Sequence, residues 1–473
     1  MSAPMLLTDG YKFSMAEAGW PLRRETFYYS HRKGGLQVLP FDVAAELKSV
    51  MPKVNPGDWE FLSKNDYELG AAVRAAVQSV DLTVNALPKF SVFHDREPVF
   101  SVTGASALVS WLEPVLLQWS FRIQVATVAL FRPDELEAAV GVVTCEQQKH
   151  LVLATLDAVG VKAPPIRVDS EGYVERVRAQ VAELIEILGA PTRLFEVGLR
   201  AASCPEQHLL ALEGAKRAGL LRTSNVYGAQ QLGLVPVGTM GHEHIQRYGS
   251  DEAAFRAMVE RRYQRSSFLL DTFDTMTSGI PTAFRIIQER PGAQDSIRYD
   301  SGDKEAQYRF ATSEAKRLGI RPVQILEDGF DTKQTLRFEA LRREVGWKPE
   351  EQVYGYGGYL VASTSGSPLT RDRVSAVYKL SQTGHTPTMK FGNERSSGKQ
   401  SVPGKPVLFR RRAGASGPFG VIGQEGEAVP EGYELLTGAE TKPVPPRQDQ
   451  SDLRMSHSPA TQALIDGLSH WRK

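Results

Sequence analysis

The chain has 473 residues, of which 41% are hydrophobic and 23% are charged, and its formal net charge is +1. This length and composition are typical of a globular protein with about two domains. The near-neutral charge excludes a bulk electrostatic attraction to nucleic acid or to an anionic membrane. No apolar run approaches the length of a membrane span, and the first residues lack the pattern of a signal peptide. We therefore expect a cytoplasmic protein.

The first 190 residues are predicted to form an α/β domain. An aromatic-rich strand is expected at 26–30 and an apolar helix at 106–120. Two amphipathic helices are expected at 145–159 and 171–188, inside a helical insertion that spans about 131–190.

From 191 to 375, short apolar runs alternate with helical runs, and a small or polar cluster follows each apolar run. About seven such units predict a parallel sheet. Because the polar cluster always comes after the strand, the pattern predicts an irregular TIM-like α/β barrel with its site at the C-terminal ends of the strands. A doubly wound open sheet is the alternative. The sequence has no GxGxxG or Walker A pattern, so it does not indicate a dinucleotide-binding or P-loop fold.

The last part of the chain, 376–473, is predicted to rejoin the N-terminal domain, which would then be a discontinuous α/β (α+β) domain. The segments 376–380, 388–391 and 407–410 have the composition of antiparallel strands. The barrel would therefore be inserted between two parts of the other domain.

The loop after the fifth predicted strand reads Arg-Tyr-Asp-Ser-Gly-Asp over 298–303. The guanidinium of Arg298 suits phosphate or carboxylate groups, and Asp300 suits ribose hydroxyls or Mg²⁺. Gly302 allows the backbone to approach a ligand closely. This mixture favours a phosphorylated sugar, although an isolated loop of this kind is also typical of a turn in which Asp303 caps the next helix.

The other strand ends carry similar groups, and in a barrel they would meet on one surface. The predicted surface gathers Arg200, Ser224, His242, Asp271, Arg298, Asp300, Asp303, Asp328, Gly357 and Gly358. Arginines, glycine-rich turns and helix N-termini bind phosphate, and two strand-end carboxylates can share Mg²⁺. His242 suits a general base, a nucleophile or a phosphate ligand, and the plainer alternative is a histidine that hydrogen-bonds its own loop. The His-x-His pair does not favour zinc, because no third histidine is near in sequence.

These blocks resemble, in order, the nicotinate and nicotinamide phosphoribosyltransferases, which are type II phosphoribosyltransferases. The blocks that carry the resemblance are LLTDGYKFSM at 6–15, TSNV at 223–226, GTMGHE at 238–243, LLDTFDT at 269–275, IRYDSGD at 297–303, GYGG at 355–358 and VYKLSQTGHTPTMKF at 377–391. The resemblance implies a reaction of a pyridine base with phosphoribosyl pyrophosphate, which gives a mononucleotide precursor of NAD and pyrophosphate. It also implies Mg²⁺, ATP as a co-substrate, and a homodimer with active sites at the interface.

The resemblance also implies roles for single residues. Tyr11 is similar to the residue that stacks on the pyridine ring of the partner subunit's site, and Arg32 to an arginine that contacts phosphate across that interface. His242 is similar to the histidine that ATP phosphorylates. Arg298 and Asp300 match contacts to the substrate and to ribose or Mg²⁺. The remaining implied positions are Asp271 on the metal side and Asp328, Gly329, Gly357 and Gly358 in the ribose and 5′-phosphate loops. From their places in the strand-end loops, Arg200, Ser301, Gly302 and Asp303 are predicted as further substrate contacts.

The identity of the base is predicted from Ser224. In the nicotinamide enzymes an aspartate lies at this position, and it would repel the carboxylate of nicotinate, whereas a serine can donate to it. We therefore predict nicotinate as the substrate, with nicotinamide as the alternative. Val197 stands where the family has a second aromatic residue, and Arg222 stands where it has a glycine.

Two other functions fit the same pattern. A quinolinate phosphoribosyltransferase would need more cationic side chains around the base and is normally a shorter chain. A catalytically inactive nucleotide-binding protein could keep the barrel, but the intact 298–303 loop and His242 favour an enzyme.

Overall fold

The structure is a computed structural model that describes residues 3–391, 400–436 and 453–469. Its centre is a sheet of seven parallel strands, as the alternating pattern predicts. In chain order these strands are Leu194–Glu196, Arg222–Thr223, Val235–Pro236, Ser267–Leu269, Ser296–Tyr299, Val323–Leu326 and Gln352–Tyr356.

The strands follow one another around a ring in chain order. The first strand, Leu194–Glu196, pairs with the second strand and also with the seventh, Gln352–Tyr356. Between the third strand, Val235–Pro236, and the fourth, Ser267–Leu269, the described residues form no backbone pairing. This arrangement confirms the irregular TIM-like barrel and excludes the doubly wound open sheet, in which the first and last strands would not be neighbours.

Helices pack around the barrel. Their bounds are Pro205–Arg217, Val226–Leu232, His242–Tyr248, Asp251–Arg261, Ile280–Gln288, Lys304–Arg317, Thr332–Glu344 and Gly358–Val361. The short helix Arg371–Val374 packs instead against the helix Glu113–Phe131 of the other domain. The last helix of the predicted insertion, Ser170–Leu188, also packs around the barrel. Its buried residues, which include Tyr173, Val177 and Val181, recur every three or four positions and join the barrel's apolar core.

A second, antiparallel sheet combines the two ends of the chain. Arg24–His31 pairs with Phe100–Ala105 on one side and with Ala376–Thr383 on the other. Thr83–Ala86 and Thr386–Pro387 form the edges of this sheet. This pairing confirms that the second domain is discontinuous and is built from both ends of the chain. The exact domain boundaries stay a prediction.

Two predicted C-terminal strands differ from the structure. The segment 388–391 is irregular: Thr388 donates its backbone N–H to Ser381 in the strand Ala376–Thr383, but Lys390 bonds to a second irregular segment at Ser401. The predicted strand at 407–410 belongs to Pro406–Arg411, which lies in a separate four-stranded sheet with Gly420–Gln424, Tyr433–Leu435 and Met455–His457.

The remaining elements surround these sheets. The helices are Gly10–Glu17, Val43–Ser49, Asp58–Lys64, Ala71–Val77, Ser106–Trp111, Glu113–Phe131, Leu136–Val140, Glu146–Ala158 and Pro459–Ser469. The short strand pairs are Ala3–Pro4 with Pro52–Lys53, Gln37–Val38 with Val92–Phe93, and Val142–Val143 with Arg167–Val168.

The helix Glu113–Phe131 corrects one expectation from the sequence. By length and composition it is apolar enough to cross a membrane, although no run of that kind was predicted. Its apolar stretch is 83% buried inside the structure, as in the core helix of a folded domain.

The N-terminal helix Gly10–Glu17 covers the mouth of the barrel in the same chain. Lys12 Nζ lies 3.0 Å from Glu243 Oε1, and both side chains are buried. Gly238 approaches the backbone of Tyr11 so closely that a Cβ atom at this position would overlap it. The apolar residues Tyr11 and Met15 lie in the core cluster of the barrel. The site at the barrel mouth is therefore covered by its own chain.

Asp251 provides a test of the packing beside the barrel mouth. Its buried carboxylate accepts a hydrogen bond from Ser278, and burial raises its pKa from 3.8 to about 7. The folded state therefore loses stability as the pH rises from about 4 to about 7, because the unfolded chain ionises first. The measurement is the free energy of unfolding in urea of Asp251→Asn minus that of wild type. We expect this difference to be about 2 kcal/mol more favourable to the variant at about pH 8 than at about pH 5.5. An equal difference at the two pH values would contradict this account of Asp251.

Candidate active site

A cavity of about 1070 Å³ lies at the barrel mouth and reaches into the barrel, where residues at strand starts such as Ser267 and Val323 also line it. Most of the predicted site residues line this cavity. They are Tyr11, Arg32, Arg200, Ser224, His242, Arg298, Asp300, Asp328, Gly329, Gly357 and Gly358. The volume suits a nucleotide-sized ligand.

One wall of the cavity carries two carboxylates, a histidine and a lysine. His242 is the first residue of the helix His242–Tyr248. Asp300 directly follows the strand Ser296–Tyr299, and Asp271 is the second residue after the strand Ser267–Leu269. The ligand atoms of these three residues lie within 4.8 Å of one another. Lys390 Nζ reaches them from the other domain, at 2.6 Å from His242 Nε2, 3.4 Å from Asp271 Oδ2 and 3.6 Å from Asp300 Oδ2. The structure thus brings together the two carboxylates that the sequence suggested for Mg²⁺.

The donor set of this wall fits a hard cation. Asp271 Oδ1 is buried and has no hydrogen-bond partner among the described residues, and carboxylate oxygens are the ligands that Mg²⁺ prefers. Burial acts to raise the pKa values of Asp271 and Asp300. The ammonium group of Lys390 beside both carboxylates acts in the other direction, and both pKa values lie below their ordinary range. Both carboxylates are therefore ionised at neutral pH and able to bind a cation.

The contacts of His242 define its protonation state. Burial and the neighbouring Lys390 lower the pKa of His242, so the ring is neutral at pH 7. An ammonium group can only donate, and the short contact from Lys390 therefore makes Nε2 the acceptor. The proton then lies on Nδ1, which donates to Thr272 Oγ1 at 2.9 Å. His242 thus directs the lone pair of Nε2 towards the ammonium group of Lys390, and its 3.2 Å contact with Asp300 Oδ2 joins two acceptors and is not a hydrogen bond in this tautomer.

Arg298 lies deeper on the same side. Its Nε is 2.7 Å from Glu327 Oε1, and its Nη1 donates to Thr239 Oγ1. Burial raises the pKa of Glu327 although Arg298 acts to lower it. Arg298 is therefore oriented by a carboxylate and a hydroxyl, and it presents a fixed cation to the cavity.

The loops assigned to ribose and 5′-phosphate follow the sixth and seventh barrel strands, next to the strand that carries Arg298. Gly329 has a φ of +79°, a left-handed conformation that favours glycine, and Asp328 before it has a φ of +60°. Gly357 and Gly358 precede and begin the short helix Gly358–Val361. A Cβ atom at Gly358 would overlap the carboxylate of Asp372. The backbone conformation thus favours glycine at Gly329, and a side chain at Gly358 would require the exposed carboxylate of Asp372 to move.

Glu113 organises the end of the cavity near Tyr11. The Tyr11 hydroxyl donates to Glu113 Oε2 at 3.1 Å, and Lys12 Nζ lies 2.7 Å from the same oxygen. Lys379 Nζ and Arg200 Nη1 lie 3.8 Å and 4.0 Å from Glu113 Oε1. Burial acts to raise the pKa of Glu113, but these cations hold it well below its usual value. The tyrosine ring is therefore held at the edge of a cationic cluster.

Ser224 lines the cavity, as predicted. Its hydroxyl donates to Asp9 Oδ1 at 2.6 Å, and Arg200 Nε lies 3.3 Å from Asp9 Oδ2. Donation to the carboxylate of a base would require this hydroxyl to turn away from Asp9. The role of Ser224 as the direct nicotinate contact stays a prediction.

Tyr11 and Arg32 also differ from what the resemblance implies. Both were expected to reach into a partner subunit's site, but both line the cavity of their own chain. Tyr11 is fixed there through Glu113, and Gly10 donates its backbone N–H to the Ser224 carbonyl oxygen at 2.8 Å.

Four predicted residues do not line the cavity. Asp271 lies directly behind its wall, and the Ser301 hydroxyl donates to Asp271 Oδ2. Gly302 has a φ of +87° and forms the turn after them. Asp303 accepts from the backbone N–H of Ala306 at 3.0 Å and caps the helix Lys304–Arg317, which is the plainer role that its position in the sequence also suggested.

The structure adds site residues that the sequence did not single out. These are Asp9, Glu113, Glu327, Lys379 and Lys390. Asp9 and the two lysines lie inside the sequence blocks that carried the family resemblance, and this position could have indicated that they belong to the site. Glu113 lies in an apolar helix outside these blocks, so the sequence did not indicate it.

Comparisons with known proteins show which proteins this chain resembles. No family model matches the chain. It is 26% identical over 304 residues to the nicotinate phosphoribosyltransferase pncB2 of Mycobacterium tuberculosis, a match that covers 64% of this chain and 59% of that protein. It is 32% identical over 226 residues to pncB1 of the same organism, covering 46% of each chain. The chain thus spans about three fifths or less of these curated relatives.

Solved structures show the same fold. The nicotinate phosphoribosyltransferase of Porphyromonas gingivalis superposes with a TM-score of 0.61 at 18% identity, covering 84% of this chain and 96% of that one. The enzyme of that name from Vibrio cholerae gives a TM-score of 0.59 at 16% identity, covering 84% and 90%. Together with the curated relatives, these matches confirm the resemblance that the sequence motifs indicated.

Proposed function

We propose that this relative of the nicotinate phosphoribosyltransferases joins nicotinate to phosphoribosyl pyrophosphate and releases pyrophosphate, a step of NAD biosynthesis. The observation that carries the proposal is the cavity itself. It combines an aromatic ring at a cationic end, Tyr11, with two ionised carboxylates, Asp300 in the wall and Asp271 directly behind it. The relatives that share the fold are named for this reaction.

The chemistry requires a bond between the pyridine nitrogen and C1′ of ribose as the bond from C1′ to pyrophosphate breaks. Tyr11 and Val197 would hold the base from two sides, with an aliphatic side chain where the family has a ring. Alignment of an already nucleophilic nitrogen is a large part of the rate gain. Arg298 would stabilise negative charge on the substrate. Mg²⁺, held by Asp271 and Asp300, would supply positive charge for the leaving pyrophosphate.

We also propose that ATP is a co-substrate whose phosphoryl group His242 accepts. The lone pair on Nε2 would bond to the γ-phosphorus while the bond from this phosphorus to ADP breaks. The neutral ring supports this role, because a protonated nitrogen has no lone pair to donate. Lys390, at 2.6 Å, would neutralise the charge that arrives there.

Nicotinamide is the alternative base. Arg200, a cation near Tyr11, favours the carboxylate of nicotinate, and so does the protonated form of Lys379, although burial lowers the pKa of Lys379 to about 7. The buried carboxylate of Asp9, however, would accept a hydrogen bond from an amide. The test is to supply nicotinate or nicotinamide with phosphoribosyl pyrophosphate and Mg²⁺, with and without ATP, and to quantify both mononucleotides. Product from nicotinamide alone would overturn the choice of base, and no product from either would favour a nucleotide-binding protein.

A homodimer remains our proposal for the assembly, with each chain providing its own Tyr11 and Arg32. Co-expression of Tyr11→Ala and Asp300→Asn chains under two affinity tags tests this point. If each site is built from one chain, the mixed dimer contains no intact site and its activity stays at the level of the single variants. A clear rise in activity of the doubly tagged species would show instead that the sites are shared between chains.

A further inference from the structure

Lys390 is fixed at the barrel mouth although its segment forms no strand. Its backbone N–H donates to Ser401 Oγ at 2.8 Å, and the Ser401 N–H donates back to its carbonyl oxygen at 3.3 Å. The neighbouring ring of Phe391 packs against Phe273 with 5.5 Å between the ring centres. These contacts tie the segment to the barrel and hold the ammonium group in place.

The ammonium group lies where a bound cation would lie. It is buried and contacts one oxygen of each carboxylate, Asp271 Oδ2 at 3.4 Å and Asp300 Oδ2 at 3.6 Å. Two carboxylates this close together repel each other unless a cation separates them. Asp271 Oδ1 has no hydrogen-bond partner among the described residues and remains available to another ligand.

A lysine and a divalent cation cannot share this position. Mg²⁺ binds its oxygen ligands at about 2.0–2.1 Å, so a bound ion would lie within a few ångströms of the ammonium group. Like charges at that distance repel strongly in a buried site.

We infer that Lys390 is the resident counter-ion of the Asp271–Asp300 pair, and that its ammonium group must leave the pair before a divalent cation binds there. This inference rests on the proposed function only for the choice of Mg²⁺ as the ion. A lysine side chain has a flexible four-carbon stem, so the released group can turn towards a phosphate in the same cavity. Metal binding would then place the displaced ammonium group of Lys390 next to the substrate's phosphate.

The test measures metal binding by the full chain without substrates, so it does not depend on any catalytic activity. Mn²⁺ binding is followed by electron paramagnetic resonance, and Mg²⁺ affinity by competition with Mn²⁺. We expect Lys390→Met to bind either ion about tenfold or more tightly than wild type, because the competing charge is gone. Lys390→Arg keeps the charge and should bind like wild type. Lys405→Met serves as the matched control, since Lys405 is an exposed lysine that pairs with Glu425.

Two further variants keep the test decisive. If Lys390→Met does not fold, Lys390→Gln, which is also neutral, gives the same comparison. Asp300→Asn in the Lys390→Met background should lose the gained affinity, which assigns the ion to this pair. Unchanged affinity in the neutral Lys390 variants, or tight binding that survives Asp300→Asn, would overturn the inference. Failure of the transferase assay would leave these results unaffected and would overturn only the proposed function.

Discussion

Asp300→Asn is expected to lower kcat/KM for mononucleotide formation by on the order of 10²–10³-fold, the usual effect of removing one preorganised charge. Asparagine keeps the size of the side chain but removes the charge that faces Lys390 and His242. The loss should appear mainly in kcat, because stabilisation of the departing pyrophosphate is needed only in the transition state.

The control for this experiment is Asp274→Asn. Asp274 is an exposed carboxylate three residues after Asp271, and it accepts from the backbone N–H groups of Met276 and Thr277. Asparagine can accept the same hydrogen bonds, so this variant should retain wild-type kinetics. Comparable losses in the two variants would indicate a general effect of charge on folding or stability, and Asp300 would lose its assigned role.

His242→Ala is expected to abolish the stimulation by ATP, so that the ratio of rates with and without ATP falls to about 1, while much of the basal rate remains. The reason is that the imidazole contacts Thr272, Lys390 and the carboxylate wall, whereas the base is placed near Tyr11. Labelling with ATP that carries radioactive γ-phosphate should give an acid-labile phosphoprotein in wild type and none in the variant.

His244→Gln is the matched control. His244 lies two residues further on, but it is fully buried and its Nε2 bonds to the Ala254 carbonyl oxygen at 2.9 Å. Its replacement should affect stability and leave the ATP ratio of the surviving enzyme intact. If His242→Ala lowers the rates with and without ATP by the same factor, His242 is a structural residue and the phosphohistidine proposal fails.

The barrel was predictable from the sequence because its signal is local. Each strand is a short apolar run, and each polar loop follows within a few residues, as at Asp300 and Asp328. Since parallel strand ends meet at one edge, loops far apart in sequence could be placed on one surface without coordinates. The same reasoning brought Asp271 beside Asp300.

The sequence could not provide contacts between the two domains. Lys390 is 148 residues from His242, and its segment has the composition of a strand, so nothing local indicated that its side chain enters the barrel mouth. The hydrogen bond from Ser224 to Asp9 joins residues 215 positions apart. The Ser224–Asp9 contact depends on how the N-terminal helix docks on the barrel, through the packing of residues such as Met15, and the Lys390 contact depends on how the segment 388–391 packs there.

The central claim is that this cavity transfers a phosphoribosyl group to a pyridine base. The most direct measurement is to incubate the full chain with labelled nicotinate, phosphoribosyl pyrophosphate and Mg²⁺, and to count labelled mononucleotide and pyrophosphate together. We predict that the two products form in equal amounts with wild type, and that both nearly disappear with Asp300→Asn. Folded wild-type protein that consumes neither nicotinate nor nicotinamide, or product formation that does not depend on Asp300, would contradict the assignment.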